Sequence, residues 1–298
     1  MSWYLQRAAE IKLLPPEPYA GHCAGYTRAD LIGQDIGSVH TGLSISELSA
    51  GGRLAPHVHS TEESFYILAG NPVLSLDGRR HRLAPDDCGL IPVGASHAWR
   101  AGTGARWLEV HSPAPRLYGP PDTFFTGEPH PKTQGKPLDI RDPRSRTFFR
   151  LGPGQMELDN LKVGAPVDAP TVSASMATAL LAYSGIAVKM LVDERLGAVL
   201  HTMFMVEYEP GGVAQPHDHP LEEAYYIVDG EVEATADGTM FTLFPGDIFW
   251  TSVGCIHAFR NRGPRRVRWL ETQAPQPPRN HSYRFNRDWE YLTARLDE

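Results

Sequence analysis

Cysteine is scarce in this 298-residue chain, which has Cys23, Cys88 and Cys255 and no others. An odd, sparse set excludes a disulfide framework and fits a reducing compartment. Long apolar runs are missing as well. No window approaches the roughly 20 consecutive apolar residues of a bilayer-spanning helix, and the opening Met-Ser-Trp-Tyr-Leu-Gln-Arg lacks the apolar stretch of a secretory leader. The chain is therefore read as soluble and cytoplasmic, with no membrane partner. Basic charge is in deficit: 28 Lys and Arg stand against 35 Asp and Glu, for a net charge of −7. That balance argues against a nucleic-acid partner, whose binding face needs clustered positive charge. Two basic runs, 141–150 and 260–268, lie among prolines and glycines and are expected to be solvated or salt-bridged. What remains is an ordinary globular composition, 41% hydrophobic and 21% charged, enough for about two domains with cores of their own.

The chain repeats itself. His57, His59, Glu63, Gly70, Gly94 and His97 recur as His217, His219, Glu223, Gly230, Gly254 and His257 at an offset of 160 residues. A period this long marks a domain duplication, because solenoid repeats run at roughly 20–50 residues. Around each copy the pattern is short β-branched and aromatic runs punctuated by turns, with Asp77-Gly78 and Asp237-Gly238 as matching hairpin signals. Arg106-Trp107-Leu108-Glu109 returns as Arg268-Trp269-Leu270-Glu271, two residues beyond that offset. The fold class expected is all-β, two tandem barrels joined by a linker rich in proline and glycine. The expected boundaries are an N-terminal arm over 1–30, barrel 1 over 31–118, the linker over 119–165, and barrel 2 with its tail over 166–298. The linker's Thr123-Phe124-Phe125 and Thr147-Phe148-Phe149 are too aromatic for a floppy tether, so it should be pinned against a barrel or cover a barrel mouth. Residues 174–183 favour a short helix on their Ala and Leu content, and 280–296 a short docked helix.

Period two explains why the repeated residues converge. In His57-Val-His59 and His217-Asp-His219 the imidazoles sit at i and i+2, on one face of a strand. Glu63 and Glu223 follow four residues later, and His97 and His257 come from a distant strand. Three imidazoles and one carboxylate aimed into a barrel suit a divalent transition metal and leave coordination positions open. Mn or Fe is preferred on donor type, with Ni, Co, Cu and Zn possible and up to two ions per chain. By the same alternation Phe65, Ile67 and Trp99 in the first half, and Tyr225, Ile227 and Phe259 in the second, should face inward as substrate-pocket walls or as core filler. Glu62 and Glu222 should face outward, as should Arg100 and Arg260. Tyr225, as hydrogen-bond donor, and Glu271, as a buried base, are the candidate catalytic groups. Cys255 is expected to be a small buried filler.

Both halves resemble the cupin superfamily. Gly51, His57, His59, Glu63 and Gly70 fill the first cupin motif, as do Gly211, His217, His219, Glu223 and Gly230. The second motif is matched less fully. Pro92, Gly94 and His97 are present in the first half, with Asp86 and Ala101 at its outer positions. Gly246, Gly254, His257 and Asn261 are present in the second, with Ser252 in place of proline. The resemblance implies a metal-binding bicupin of two double-stranded β-helix (jelly-roll) barrels. It also implies a small-molecule substrate and a homodimer. The function expected is a dioxygenase-class oxidoreductase using O2 on a small aromatic or enol-bearing substrate, of the quercetinase or gentisate dioxygenase kind. The alternatives are a redox-neutral Mn lyase or hydrolase of decarboxylase or aminohydrolase type, a sugar-acid isomerase, and a non-catalytic storage cupin.

Overall fold

The computed structural model describes residues 1–118, 121–129, 135–158, 184–277 and 284–285. The chain divides by contact into two compact units: Ile11–Gly152 with Leu191–Thr202, and Met1–Glu10 with Pro153–Met190 and Met203–Glu298. Each contains one copy of the repeated motif, and they are called here the first and second barrel. Residues 174–183 lie outside the described residues, as does all of the tail except 284–285, where Arg284–Phe285 forms a strand paired with His217–Asp218 and not the helix expected there.

The first barrel is built on an 18-residue strand, Gly42–His59, that serves both of its layers. Its first part pairs with Ala105–Ser112 and its last with His97–Arg100, while Cys23–Ile32 runs alongside both parts. In the second barrel the same path is split into Thr202–Tyr208 and Val213–Asp218, in a six-stranded and a five-stranded sheet. The bend falls at Gly51 and Gly211, whose φ of 76° and 84° suits a residue without a Cβ. The two hairpin signals are hairpins: Asp77-Gly78 joins Val73–Leu76 to Arg79–Arg82, and Asp237-Gly238 joins Val232–Ala236 to Thr239–Leu243. All four turn residues have positive φ, as a type I′ turn demands.

Each barrel packs its own apolar core. Leu48, Leu54, Trp99 and Trp107 lie at the centre of the first, and Phe204, Phe249, Val267 and Trp269 at the centre of the second. Cys255 belongs to the second core, where burial pushes its thiol up to about 12.

Distant segments cover two exposed sheet edges. Phe148–Arg150, from the linker, pairs with Asp87–Ile91, and Trp3–Gln6 pairs with Ile248–Thr251 in the second barrel. Both additions are clamped alike. Arg150 meets the buried Asp87 at 2.5 Å, and Arg7 meets the buried Asp247 at 2.6 Å. Pairing an edge strand removes a row of open backbone donors and acceptors that would template aggregation.

Candidate metal centres

Register brings the donors together. His57 stands opposite His97 across the first barrel's strand pair, and His217 stands opposite His257 in the second. Imidazole centroids lie 4.0 Å apart in the first pair and 4.4 Å in the second. His59 and His97 present Nε2 to Glu63 Oε2 at 3.1 and 3.4 Å; His219 and His257 present theirs to Glu223 Oε2 at 2.8 and 3.1 Å. Each His trio has donor atoms within 4.8 Å of one another. All eight residues expected as ligands therefore converge, four in each barrel.

The Nδ1 atoms are already engaged. Those of His57, His97, His217, His219 and His257 reach the backbone carbonyls of Ala55, Ala95, Gln215, Leu221 and Cys255 at 2.7–3.1 Å. His59 Nδ1 meets the hydroxyl of Thr123 at 2.9 Å. A ligating histidine characteristically engages its other nitrogen in this way, which fixes the tautomer that leaves Nε2 for the ion. The Nε2 atoms of His97 and His257 are sealed from solvent without a hydrogen bond. Such orphaned buried atoms are the condition a bound cation relieves.

Burial also sets the charges. Desolvation lowers His57 well below its ordinary value, takes His59 to about 4, and takes His217 to about 3. Neutral imidazole is the state a metal requires. Burial opposes ionisation of Glu63 and Glu223, but the neighbouring imidazoles overcome it and hold both carboxyls well below the usual range. Desolvation opposes charge on His97 and His219 too, but Glu63 and Glu223 raise them, so a divalent transition metal bound by three imidazoles and one carboxylate would displace a proton.

Phe65, Ile67, Trp99, Tyr225, Ile227 and Phe259 do face inward, and all lie in the packed cores at 4% exposure or less. Of these, Tyr225 places a polar atom at a donor, because its hydroxyl donates to Glu223 Oε2. Gln273 Nε2 donates to the other carboxylate oxygen at 2.6 Å. Glu271, across the strand pair from Tyr225, is also buried, and desolvation together with the Glu223 charge raises its carboxyl well above the usual range. The two candidate catalytic groups thus sit against the second centre.

Glu62 and Glu222 correct the outward expectation, since both are buried. Glu62 accepts from the Val199 and Leu200 amides at 2.9 and 3.0 Å and lies 3.0 Å from His201 Nδ1. The outer face of that strand is covered by residues 191–202, so alternation separated the two faces but misjudged which was wet. Arg100 and Arg260 are exposed as expected.

Several residues near the sites escaped the sequence reading. The linker strand Thr123–Phe125 pairs directly with His57–His59, so this segment does cover part of the first barrel's site. Phe125 stacks on His22 at 3.9 Å and lies 5.6 Å from His57, with Tyr19 edge-on at 5.4 Å. His111 lies opposite Glu63, at the place Gln273 takes opposite Glu223.

Comparison with known proteins agrees with this fold. The family profile described as "Cupin domain" matches residues 44–111 and 204–272. A germin-like protein of Arabidopsis thaliana is 36% identical over 83 residues, 26% of this chain and 37% of that protein. The polyketide synthase CurC of Streptomyces cyaneus is 30% identical over 96 residues, 31% of this chain and 62% of that protein. The matched stretches thus span under two thirds of either relative. Among solved structures, the Bacillus subtilis oxalate decarboxylase characterised for its Mn(II) centres superposes with a TM-score of 0.62 at 15% identity. That match covers 99% of this chain and 84% of the other.

Proposed function

The chain carries two tandem cupin domains, and on that premise we propose that it is a Mn-dependent, redox-neutral lyase that decarboxylates a small organic acid in its second barrel. The observation that carries this reading is the pairing of Glu271 and Tyr225 beside Glu223. Loss of CO2 breaks a carbon–carbon bond and leaves an electron pair on the substrate carbon, which must then receive a proton. A carboxyl whose pKa is raised by an apolar wall and a neighbouring carboxylate is suited to supply it. Glu271 is such a group, and Tyr225, hydrogen-bonded to Glu223, is a second donor at the same point. The ion held by His217, His219, Glu223 and His257 would act as a Lewis acid, neutralising developing negative charge on the substrate. Mn suits the mixed imidazole and carboxylate donors, and the structural likeness to a Mn(II)-containing decarboxylase supports that choice.

The likeness in fold favours a lyase over the oxygenase expected from sequence. The inward aromatic residues that could wall a pocket for a flat oxygenase substrate are packed in the cores. The surroundings favour a monocarboxylate with an apolar body over a compact dianion. Arg100 and Arg260 are exposed, and Arg28 in the first barrel is committed to Glu109 and Asp30. The test is a screen of organic acids against the Mn-loaded protein, following CO2 release and O2 uptake together. Release of CO2 with no net O2 consumption is expected. Stoichiometric O2 uptake would return the oxygenase reading, and Glu271→Gln with unchanged turnover would remove the proton-donor assignment.

A further inference from the structure

The two donor sets are not equal. We propose that the first barrel holds its ion with five protein donors, His111 joining His57, His59, Glu63 and His97, whereas the second holds its ion with four. This rests on the metal-centre reading above and extends it to a residue outside the duplicated motif.

His111 shares burial and an engaged Nδ1 with the other ligating imidazoles. It is 2% exposed, and its Nδ1 meets the hydroxyl of Thr61 at 3.0 Å, which leaves Nε2 toward the site. That Nε2 is sealed from solvent and makes no hydrogen bond; Glu109 Oε2 lies 3.9 Å away, beyond hydrogen-bonding reach. Its ring lies edge-on to His59 with centroids 4.9 Å apart. His59, Glu63 and His111 bring one donor atom each within 4.8 Å of one another. Position explains why. His111 and Glu63 are direct cross-strand partners, so their side chains rise on the same face within about 5.5 Å at Cβ.

In the second barrel that cross-strand position belongs to Gln273. Its amide donates to Glu223 and so supports a ligand from behind. His111 has no such bond to Glu63 and offers a lone pair in its place. Five donors leave one position of an octahedron, and four leave two. The first ion is therefore the more tightly held and the less open, and the second has room for a substrate to bind through two atoms.

Reciprocal substitution tests the assignment without an activity assay. Protein saturated with Mn(II) chloride is dialysed against graded chelator, and retained Mn is counted per chain. Two ions are expected at saturation, one leaving at chelator concentrations at least about 10-fold lower than the other. His111→Gln should weaken the tighter ion by roughly 10–100-fold, so that both leave together. Gln273→His should strengthen the weaker ion and restore pairing at the tighter value. Two ions that leave together from the unsubstituted protein overturn the five-donor assignment alone, as does an unchanged profile in His111→Gln. A chain that binds no Mn at all overturns the metal centres with it. If circular dichroism shows that His111→Gln has not folded, Gln273→His decides: no gain in retention rejects the proposal.

Discussion

Trp107 with Glu109 in the first barrel and Trp269 with Glu271 in the second are the same indole–carboxylate pair, with Nε1–Oε distances of 2.7 and 2.9 Å. Their surroundings are opposite. Beside Glu109 the adjoining strands present Tyr26, Arg28, Ser44 and Ser46, and Arg28 meets the carboxylate at 2.5 Å. The corresponding residues of the second barrel are Ile186, Val188, Phe204 and Val206, all in its apolar core. Gly25 and Gly185 anchor this correspondence, since both have positive φ and each packs against the Cα of a matching glycine, Gly52 or Gly212. Burial opposes ionisation in both, but the Arg28 charge brings Glu109 below its usual range while Glu271 stays well above. One carboxylate has become part of a buried ion pair, and its twin has become a carboxyl held toward its protonated form. The backbone is shared, and the facing side chains decide the chemistry.

The strongest way to break this comparison is to remove one ligand from each barrel. His217→Ala is expected to abolish turnover, by 100-fold or more, whereas His57→Ala should leave most of it and mainly lower the melting temperature. Steady-state kinetics checks it, and equal losses would mean that both barrels work. Next in size is Arg28→Met, which strands the Glu109 charge in the interior. Breaking a buried pair from one side costs about 3–5 kcal/mol, readable as a lowered urea midpoint. The mirror substitution, Glu271→Gln, should stabilise the second barrel by about 1–3 kcal/mol at pH 8.

That gain has a definite pH dependence. Glu271 has its folded pKa raised above the unfolded value, so its favourable contribution is complete below the unfolded pKa and is lost as pH rises through the folded one. Parent and Glu271→Gln should therefore melt alike near pH 4 and separate as pH rises. A constant difference across that range would contradict the raised pKa. Smallest of all is Tyr225→Phe, which makes the second site resemble the first at Phe65. About 1 kcal/mol of stability should go with the lost hydrogen bond, together with a drop in kcat that leaves Mn retention intact.

Much of this was legible in the chain because the first three ligands of each copy fall within seven residues of one another. His-X-His on one strand and Glu four residues on need no knowledge of tertiary register, and the offset of 160 residues certifies them twice. The barrels followed from the same repetition and from hairpins such as Asp77-Gly78. His111 and Gln273 were not legible as site residues because they join through cross-strand pairing, 48 residues from Glu63 and 50 from Glu223 by sequence. Arg28 was hidden for a related reason: it reaches Glu109 from the far end of the barrel sequence. Glu62 failed differently. Periodicity says that two faces exist, but the covering segment at Val199–His201 lies more than 130 positions away, with sequence separations of 137 and 138 for its bonds to Glu62 and Ser64.

The strand Trp3–Gln6 has a consequence for how the protein comes into being. It is made some 240 residues before the edge it completes, Ile248–Thr251. At ribosomal rates of about 5–20 residues per second, the arm waits roughly 10–50 s for its partner. Arg7 and Asp247 are separated by 240 positions, so this contact has one of the longest loops the chain must close. Final locking of the second barrel thus depends on a ribbon synthesised before the first barrel, and a substitution in Trp3–Gln6 would be felt at Ile248–Thr251.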